Sequence, residues 1–266
     1  MIRLSREIRF SLSPQTTERA ANSWSGWPAT TLVVPFLVMR CEVSGEPDGQ
    51  TGYLCNIKEI DTLLRGIVTD RLIPEFSPGQ CVEELLATTF AEAQKRWARN
   101  PSSAKAAVCS LTIDASPFLS FSIDSESPDM ISMTQQFEFS AAHRLHCDEL
   151  SDEENRELFG KCNNPNGHGH NYVLSVTLKG KPAADSGMLI SLDQFEATVK
   201  ELIVDRLDHK HLNEDLEYFS ENIPSVENIA IAIWKWLDGQ FGEAGLECVR
   251  VYETPKTWAE YRGGAQ

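Results

Sequence analysis

Between Cys162 and His170, in "FGKCNNPNGHGHNYVLSV", one thiol and two imidazoles flank a run of turn formers directly ahead of an apolar stretch. All six histidines of the chain lie between residues 143 and 211. His168 and His170 stand at i and i+2 at the head of a predicted strand, so both imidazoles project from one face. Gly169 between them leaves the other face without bulk. A third imidazole, His143, ends the preceding strand segment "FEFSAAH", which is placed to pair antiparallel with it. Three neutral imidazoles converging from two strands are the donor set of a catalytic zinc site, in which a fourth position stays open. Structural zinc sites close with four ligands and use more thiolate.

Cys162 lies between Gly160-Lys161 and the turn-forming run Asn163 to Gly167. A thiol exposed on such a turn, beside a cation and a metal, is expected to have a lowered pKa. It reads as a base or nucleophile, as a fourth zinc ligand, or as an inert thiol. In "DRLDHKHLNED" Asp208 adjoins His209; a carboxylate fixes an imidazole's tautomer and raises its basicity, which makes a general acid/base pair. Asp and His are also common at helix ends. Glu253 in "VRVYETP" falls in phase with Val249 and Val251 on one strand face. A buried carboxylate there needs a partner, and a ligand rich in N–H donors supplies one. Glu227 in "PSVEN" reads either as a second ligand contact or as capping chemistry with Ser225. His146 and His211 read as surface residues without a role.

The elements that must position these groups occur twice. At an offset of 135, "FLVMRCEVSGEPDGQTGYLCNIKEIDTLLRGIVTDRL" (36–72) runs without a gap over "NYVLSVTLKGKPAADSGMLISLDQFEATVKELIVDRL" (171–207). Each copy has an alternating strand, a Gly/Pro-bearing turn, a short apolar strand and a helix ending in Asp-Arg-Leu. The helical faces are Ile57, Ile60, Leu64, Ile67 and Leu192, Phe195, Val199, Leu202. A second helix and further strands follow in both copies. The expected fold is therefore α+β: two tandem units, 1–130 and 131–266, with the boundary in "ESPDMIS". In the first copy the reactive positions carry Val33 and Pro35 for the strand-head histidines, Trp27 for Cys162 and Ile73-Pro74 for Asp208-His209. Pro14 stands opposite His143. One copy is expected to carry the site and the other to lack it, although Glu83 over Glu227 and Asp114 over Glu253 leave a vestigial pocket conceivable there.

Composition bounds the function. The chain has 266 residues, 41% hydrophobic and 24% charged, which suits a water-soluble globular protein of one large or two ordinary domains. No stretch approaches the roughly 20 apolar residues of a membrane span. The segment "MIRLSREIRFSLS" lacks the apolar core of a secretory signal, so a cytoplasmic location is expected. Seven cysteines at irregular spacing fit reduced thiols. Net charge is −15 with no basic stripe, which argues against a nucleic-acid partner but not against a small anionic substrate.

Taken in order, "FSAAHRLH", "LSDEENRELFGKCNNPNGHGHNY", "LDHKHLNED", "PSVEN" and "VYETP" resemble the 6-pyruvoyl-tetrahydropterin synthase family over residues 137–262. That resemblance implies the tunnelling fold: a four-stranded antiparallel sheet with two helices on one face, assembling through its sheets into a multi-subunit barrel. Pterin sites lie between subunits in this family. It also implies one Zn²⁺ per chain on His143, His168 and His170, Cys162 as catalytic thiol, Asp208 and His209 in proton transfer, and Glu253 and Glu227 on the pterin. Mg²⁺ would accompany a substrate triphosphate. Tandem units would let fewer chains close the barrel, three where six units are needed. Five residues separate Cys162 from His168, the spacing of the 6-pyruvoyl enzymes of tetrahydrobiopterin synthesis; the 6-carboxytetrahydropterin synthases of the queuosine and deazapurine pathways commonly have three. A pterin-binding assembly without turnover is the remaining alternative.

Overall fold

The computed structural model describes residues 1–13, 26–27 and 33–264; Pro14 lies outside the described residues. The chain forms two compact units, Met1–Met133 with Gly180–Leu189, and Thr134–Lys179 with Ile190–Gln266. No described helix is long and apolar enough to cross a membrane.

In the first unit the strands β1 (Ile2–Ser11), β2 (Phe36–Gly45), β3 (Ala106–Ser116) and β4 (Leu119–Asp124) pair antiparallel in that order. Alternation decides the inner face: Leu37, Met39, Cys41 and Val43 of β2 are buried, whereas Val38, Arg40 and Glu42 are partly exposed. Helix α1 (Ile57–Ile67) starts at Asn56, whose side chain accepts from the Lys58 amide while Glu59 accepts the Asn56 amide. That reciprocal cap satisfies two otherwise orphan donors. The helix runs through a π turn, Val68–Leu72, into the short α2 (Ile73–Glu75). Helix α3 (Val82–Trp97) buries Leu86, Phe90, Ala93 and Trp97, and the Trp97 indole donates to the Ala106 carbonyl at 2.7 Å, tying the helix end to the start of β3. Segment 180–189 belongs here because the Leu189 amide donates to Glu83 at 3.2 Å and Lys181 pairs with Asp129 at 2.5 Å.

The second unit contains β5 (Ile131–His143), α4 (Asp152–Phe159), β6 (His168–Gly180), α5 (Leu192–Val199), α6 (Asp205–Leu207), β7 (Lys210–His211), α7 (Leu212–Asp215), α8 (Tyr218–Glu221), α9 (Val226–Leu237), β8 (Gly245–Thr254) and β9 (Thr257–Tyr261). Its sheet order is β5-β6-β8-β9, antiparallel from β6 to β9, with the two-residue β7 lying parallel to the end of β5. Tyr172, Leu174, Val176 and Leu178 of β6 and Val249 and Val251 of β8 are buried, as are Ile229 and Ile233 of α9. Each such aliphatic side chain contributes about 1.5–3 kcal/mol of burial.

Two expectations are corrected. The helical face does not continue from Val199 to Leu202: Ile203 is fully buried instead, because a π turn at Lys200–Val204 adds a residue to that turn and delays the phase by one. The short apolar segments before α1 and α5 are bends, not strands. In the first, Leu54 and Cys55 are buried directly before the Asn56 cap, leaving no length for a ladder. The elements α4, β7, α7 and α8 also exceed the four strands and two helices expected of a unit.

Candidate active site

His143 is the last residue of β5 and His168 the first of β6, so the end of one strand meets the beginning of its neighbour. The turn closing this corner is stapled by the Leu145 backbone N–H to the Cys162 carbonyl at 2.8 Å and by the Asn163 side-chain Nδ2 to the Leu145 carbonyl at 2.8 Å. Gly167 completes it at φ +68°, where a Cβ would lie 2.6 Å from His211 Nε2 and 3.0 Å from the His143 carbonyl oxygen. His168, His170 and Tyr172 then alternate onto one face, as the i, i+2 spacing requires, with their rings in edge contact along the strand.

His143 Nε2 lies 3.2 Å from His168 Nε2 and 3.4 Å from Glu253 Oε1, and His170 Nε2 lies 3.4 Å from the same carboxylate oxygen. The four donor atoms all fall within 4.8 Å of one another. Donors about 2.0–2.1 Å from a single ion at tetrahedral corners stand about 3.3–3.4 Å apart, so these separations are those of a metal's ligand shell. The protonation pattern agrees. His143 is 0% exposed, and its Nδ1–H donates to the Pro224 carbonyl at 2.7 Å, which leaves the Nε2 lone pair facing the cluster. Burial holds its pKa down at about 4, with the neighbouring imidazoles adding to the effect and the Pro224 carbonyl opposing it. Burial likewise lowers His168. His170 Nε2 is buried without a hydrogen-bond partner, although the Glu253 oxygen is close. An imidazole nitrogen buried this close to a carboxylate is satisfied by a positive charge between them, a ring proton or a metal ion. The residues present therefore fit a metal ion.

Cys162 is partly buried on the 3₁₀ turn Gly160–Asn163. Its thiol is pushed up, first by burial and then by the Glu253 charge; the lowered value expected above depends on a metal ion as well as on Lys161. Lys161 is exposed and lines a cleft, where water screens it, while the carboxylate shares the drier side. A dication among the imidazoles would reverse that balance.

Asp208 and His209 meet as a pair, His209 Nδ1 to Asp208 Oδ2 at 2.7 Å. His209 has the left-handed φ of 57° and its amide donates to the Ser140 carbonyl, while Asp208 Oδ1 accepts the Ser140 amide at 2.7 Å. The Ser140 amide and then His209 hold the Asp208 carboxyl below its ordinary value. His209 is 84% exposed and shares with His170 a shallow depression of about 480 Å³ floored by Ser140, Ala141 and Gly169. Glu227 is exposed in the first turn of α9, which is capped by Ser225 accepting the Asn228 amide; it does not join the four-donor cluster. Pro224, three residues before it, supplies the carbonyl that orients His143.

His146 and His211 are not plain surface residues. His146 Nδ1 accepts from Asn163 at 2.9 Å, and His211 packs on Gly167 with its Nδ1 buried and unpartnered. Sequence reasoning also missed Asn213, whose amide clamps both the N–H and the C=O of Arg144 at 2.8 and 2.9 Å, and Tyr172, stacked on Phe139 at 4.9 Å beside His143. Tyr172 was available from the alternation of β6; Asn213 was not, since its partner is 69 residues away.

Strand framework and donor set together define an α+β domain with an antiparallel sheet and, at its strand ends, a cluster of three imidazoles and one carboxylate that could hold a metal ion. Sequence likeness narrows that class. The pattern of the 6-pyruvoyl tetrahydropterin synthase family matches residues 132–264, half of the chain, and the chain belongs to this family. It is 44% identical over 131 residues to the 6-pyruvoyl tetrahydrobiopterin synthase of Homo sapiens, covering 49% of this chain and 90% of that one. Against the 6-carboxy-5,6,7,8-tetrahydropterin synthase of Synechocystis the identity is 34% over 130 residues, covering 48% and 89%. The solved structure of the Caenorhabditis elegans 6-pyruvoyl tetrahydropterin synthase is 42% identical and aligns over 51% of this chain and 96% of its own with a TM-score of 0.48.

Proposed function

We propose that the second unit is a zinc-dependent 6-pyruvoyl-tetrahydropterin synthase, converting 7,8-dihydroneopterin triphosphate to 6-pyruvoyl-tetrahydropterin with release of triphosphate. The observation that carries the reading is the convergence of His143, His168 and His170 at ligand separations within the segment that matches the family. His143, His168 and His170 hold the Zn²⁺, which when bound supplies Lewis-acid stabilisation of charge developing on the substrate's side-chain oxygens.

The chain's own groups then divide the work. Cys162, on its turn beside the cluster, takes a proton from a side-chain carbon and returns it at the neighbouring one. Triphosphate departs with the electrons of its C–O bond; two side-chain carbinol carbons are oxidised to ketones, the carbon that carried the triphosphate is reduced to a methyl, and the ring C6=N5 bond takes up the remaining two electrons and two protons, so no outside electron acceptor is needed. Asp208 holds the His209 Nδ1–H and so leaves Nε2 free as the second acid/base group. Glu253 accepts from the ring N–H and amino groups and fixes orientation, with Glu227 at the exposed helix start as a second contact. Mg²⁺ accompanies the triphosphate. The exposure of His209 suits a pocket completed by another copy, and a ring of three tandem chains is the assembly proposed. The first unit, with Val33, Pro35 and Trp27 where the second has ligands and thiol, is proposed to be a degenerate tunnelling-fold repeat from a tandem duplication that serves assembly in a cytoplasmic enzyme.

The 6-carboxy product is the second reading, disfavoured by the five-residue Cys162–His168 spacing and by the lower identity to that class. Zinc-loaded protein incubated with 7,8-dihydroneopterin triphosphate and Mg²⁺, with products identified by mass spectrometry, decides. A 6-pyruvoyl product with free triphosphate is expected. A 6-carboxy product with acetaldehyde moves the enzyme to the other class, and no turnover with zinc bound leaves a pterin-binding assembly.

A further inference from the structure

A cleft of about 700 Å³ in the second unit is bordered by three cationic side chains: Arg144 just beyond β5, Arg156 on α4 and Lys161 on the turn that carries Cys162. His168 forms part of its wall, and Asp152 is the one carboxylate on it. None of the three cations makes an ion pair among the described residues, whereas Arg3, Arg6, Arg40, Arg71, Arg96 and Arg250 all do. In a chain of net charge −15, three uncompensated cations gathered on one concave surface are a departure from the surrounding pattern. Arg144 is also built in. The Asn213 amide grips its backbone from both sides, one residue past His143, and its Nε is buried without a hydrogen-bond partner. Its Nη2 meets only the His146 ring nitrogen, at 3.2 Å.

Like charges held together in a cleft repel one another, and a polyanion relieves that repulsion. Guanidinium forks match phosphate oxygens two at a time, and an ammonium adds a point charge. We propose that this cleft binds the triphosphate tail of the substrate, with Arg144, Arg156 and Lys161 as its cationic contacts. The inference rests on the reading of the site as a pterin-triphosphate lyase. His168 makes the cleft continuous with the metal cluster, and Lys161 adjoins Cys162 in the chain. A substrate whose reacting carbon lies at the thiol therefore directs its leaving group into the three cations. The negative charge that builds on the triphosphate as its C–O bond breaks develops among donors already in place.

Arg156→Gln and Lys161→Gln alter exposed side chains and leave the fold intact. In the zinc-loaded protein each should raise KM for the triphosphate substrate about five- to tenfold. Each should also weaken competitive inhibition by inorganic tripolyphosphate by the same factor, with bound zinc measured alongside because tripolyphosphate chelates it. The Ki of 7,8-dihydroneopterin, which lacks phosphate, should stay within about twofold. Unchanged KM and tripolyphosphate Ki in both variants overturn the proposal, as does a dihydroneopterin Ki that rises in step. If the wild type shows no turnover, calorimetric binding of tripolyphosphate still decides. Binding weakened by Arg156→Gln retains the anion cleft while the lyase reading falls, and absent binding removes both.

Discussion

Glu253 is the residue on which sequence and structure make different demands. As a pterin anchor it must offer its carboxylate to ring N–H groups; in the structure that carboxylate stands 3.4 Å from two imidazole nitrogens and closes the fourth corner of the donor set. One carboxylate cannot do both at once, so in the substrate-free protein Glu253 should strengthen metal binding, and pterin binding should draw it away and open the corner. Glu253→Gln tests this. A unit charge 3.4 Å from the cluster, at an effective dielectric of about 20, is worth about 5 kcal/mol per unit of opposing charge. Gln keeps an oxygen in place, and the side chain is 17% exposed, so water and the amide dipole recover part of this. An expected loss of about 2–3 kcal/mol is about a 30- to 150-fold weaker zinc Kd. Competition with a chromophoric chelator measures it. In the wild type, a non-reacting pterin should weaken zinc binding; in Glu253→Gln it should not. A variant with zinc affinity within twofold of wild type refutes the reasoning and leaves Glu253 as a substrate contact alone.

Cys162→Ala should lower turnover by about 10²- to 10⁴-fold with zinc content unchanged, as expected of a lost proton-transfer group; loss of zinc instead would make the thiol a ligand. For metal-free protein, His143 sets an acid limit on stability. Its pKa is about 4 in the fold against an ordinary 6.5, so below pH 6.5 the unfolded chain binds a proton the fold refuses. Stability attributable to this group should fall by about 3 kcal/mol from pH 6.5 to 4 and then level off, read as the difference in urea midpoints between wild type and His143→Asn. Gly167→Ala should cost about 2–3 kcal/mol and weaken zinc binding, because the added Cβ strikes the His143 carbonyl oxygen at a left-handed φ. Gly239→Ala, at φ +74° with open space around it, should cost about 1 kcal/mol and leave zinc binding alone; equal losses would refute the contact argument. Elemental analysis should find one zinc per chain, since the described residues hold a single group of three or more potential ligands within reach of one ion; two would refute this.

The convergence of His143, His168 and His170 was legible because strand periodicity carries its geometry: i and i+2 from one strand and the last residue of its neighbour leave little freedom. Asp208-His209 was legible by adjacency, but its setting was not, since the Ser140 backbone that grips both residues has no sequence signature. Nor has the Pro224 carbonyl that fixes the His143 tautomer. The helical face was read one residue off at Leu202 because propensity and hydrophobic pattern do not announce a π turn; Ile203 and Leu202 are equally apolar neighbours. The upward push of Glu253 on the Cys162 thiol was not legible, because that carboxylate lies far along the chain. Each miss concerns a contact between residues far apart in the chain or made by the backbone.

A buried carboxylate needs donors, and the first unit supplies them to Glu83 from within the chain. Glu83 is the second residue of α3, as Glu227 is of α9. Glu227 is exposed at a helix start, whereas Glu83 is 5% exposed and accepts the Leu189 amide and the Cys81 thiol, at 3.2 and 2.8 Å. The turn that presents Leu189 is closed by the Gly187 amide to the Ala183 carbonyl at 2.8 Å, with Gly187 at φ +71°. A backbone N–H and a thiol from the chain itself thus satisfy this carboxylate. If the unit is the degenerate repeat proposed above, its strand alternation and helix faces answer to burial alone, a demand that needs no site residues.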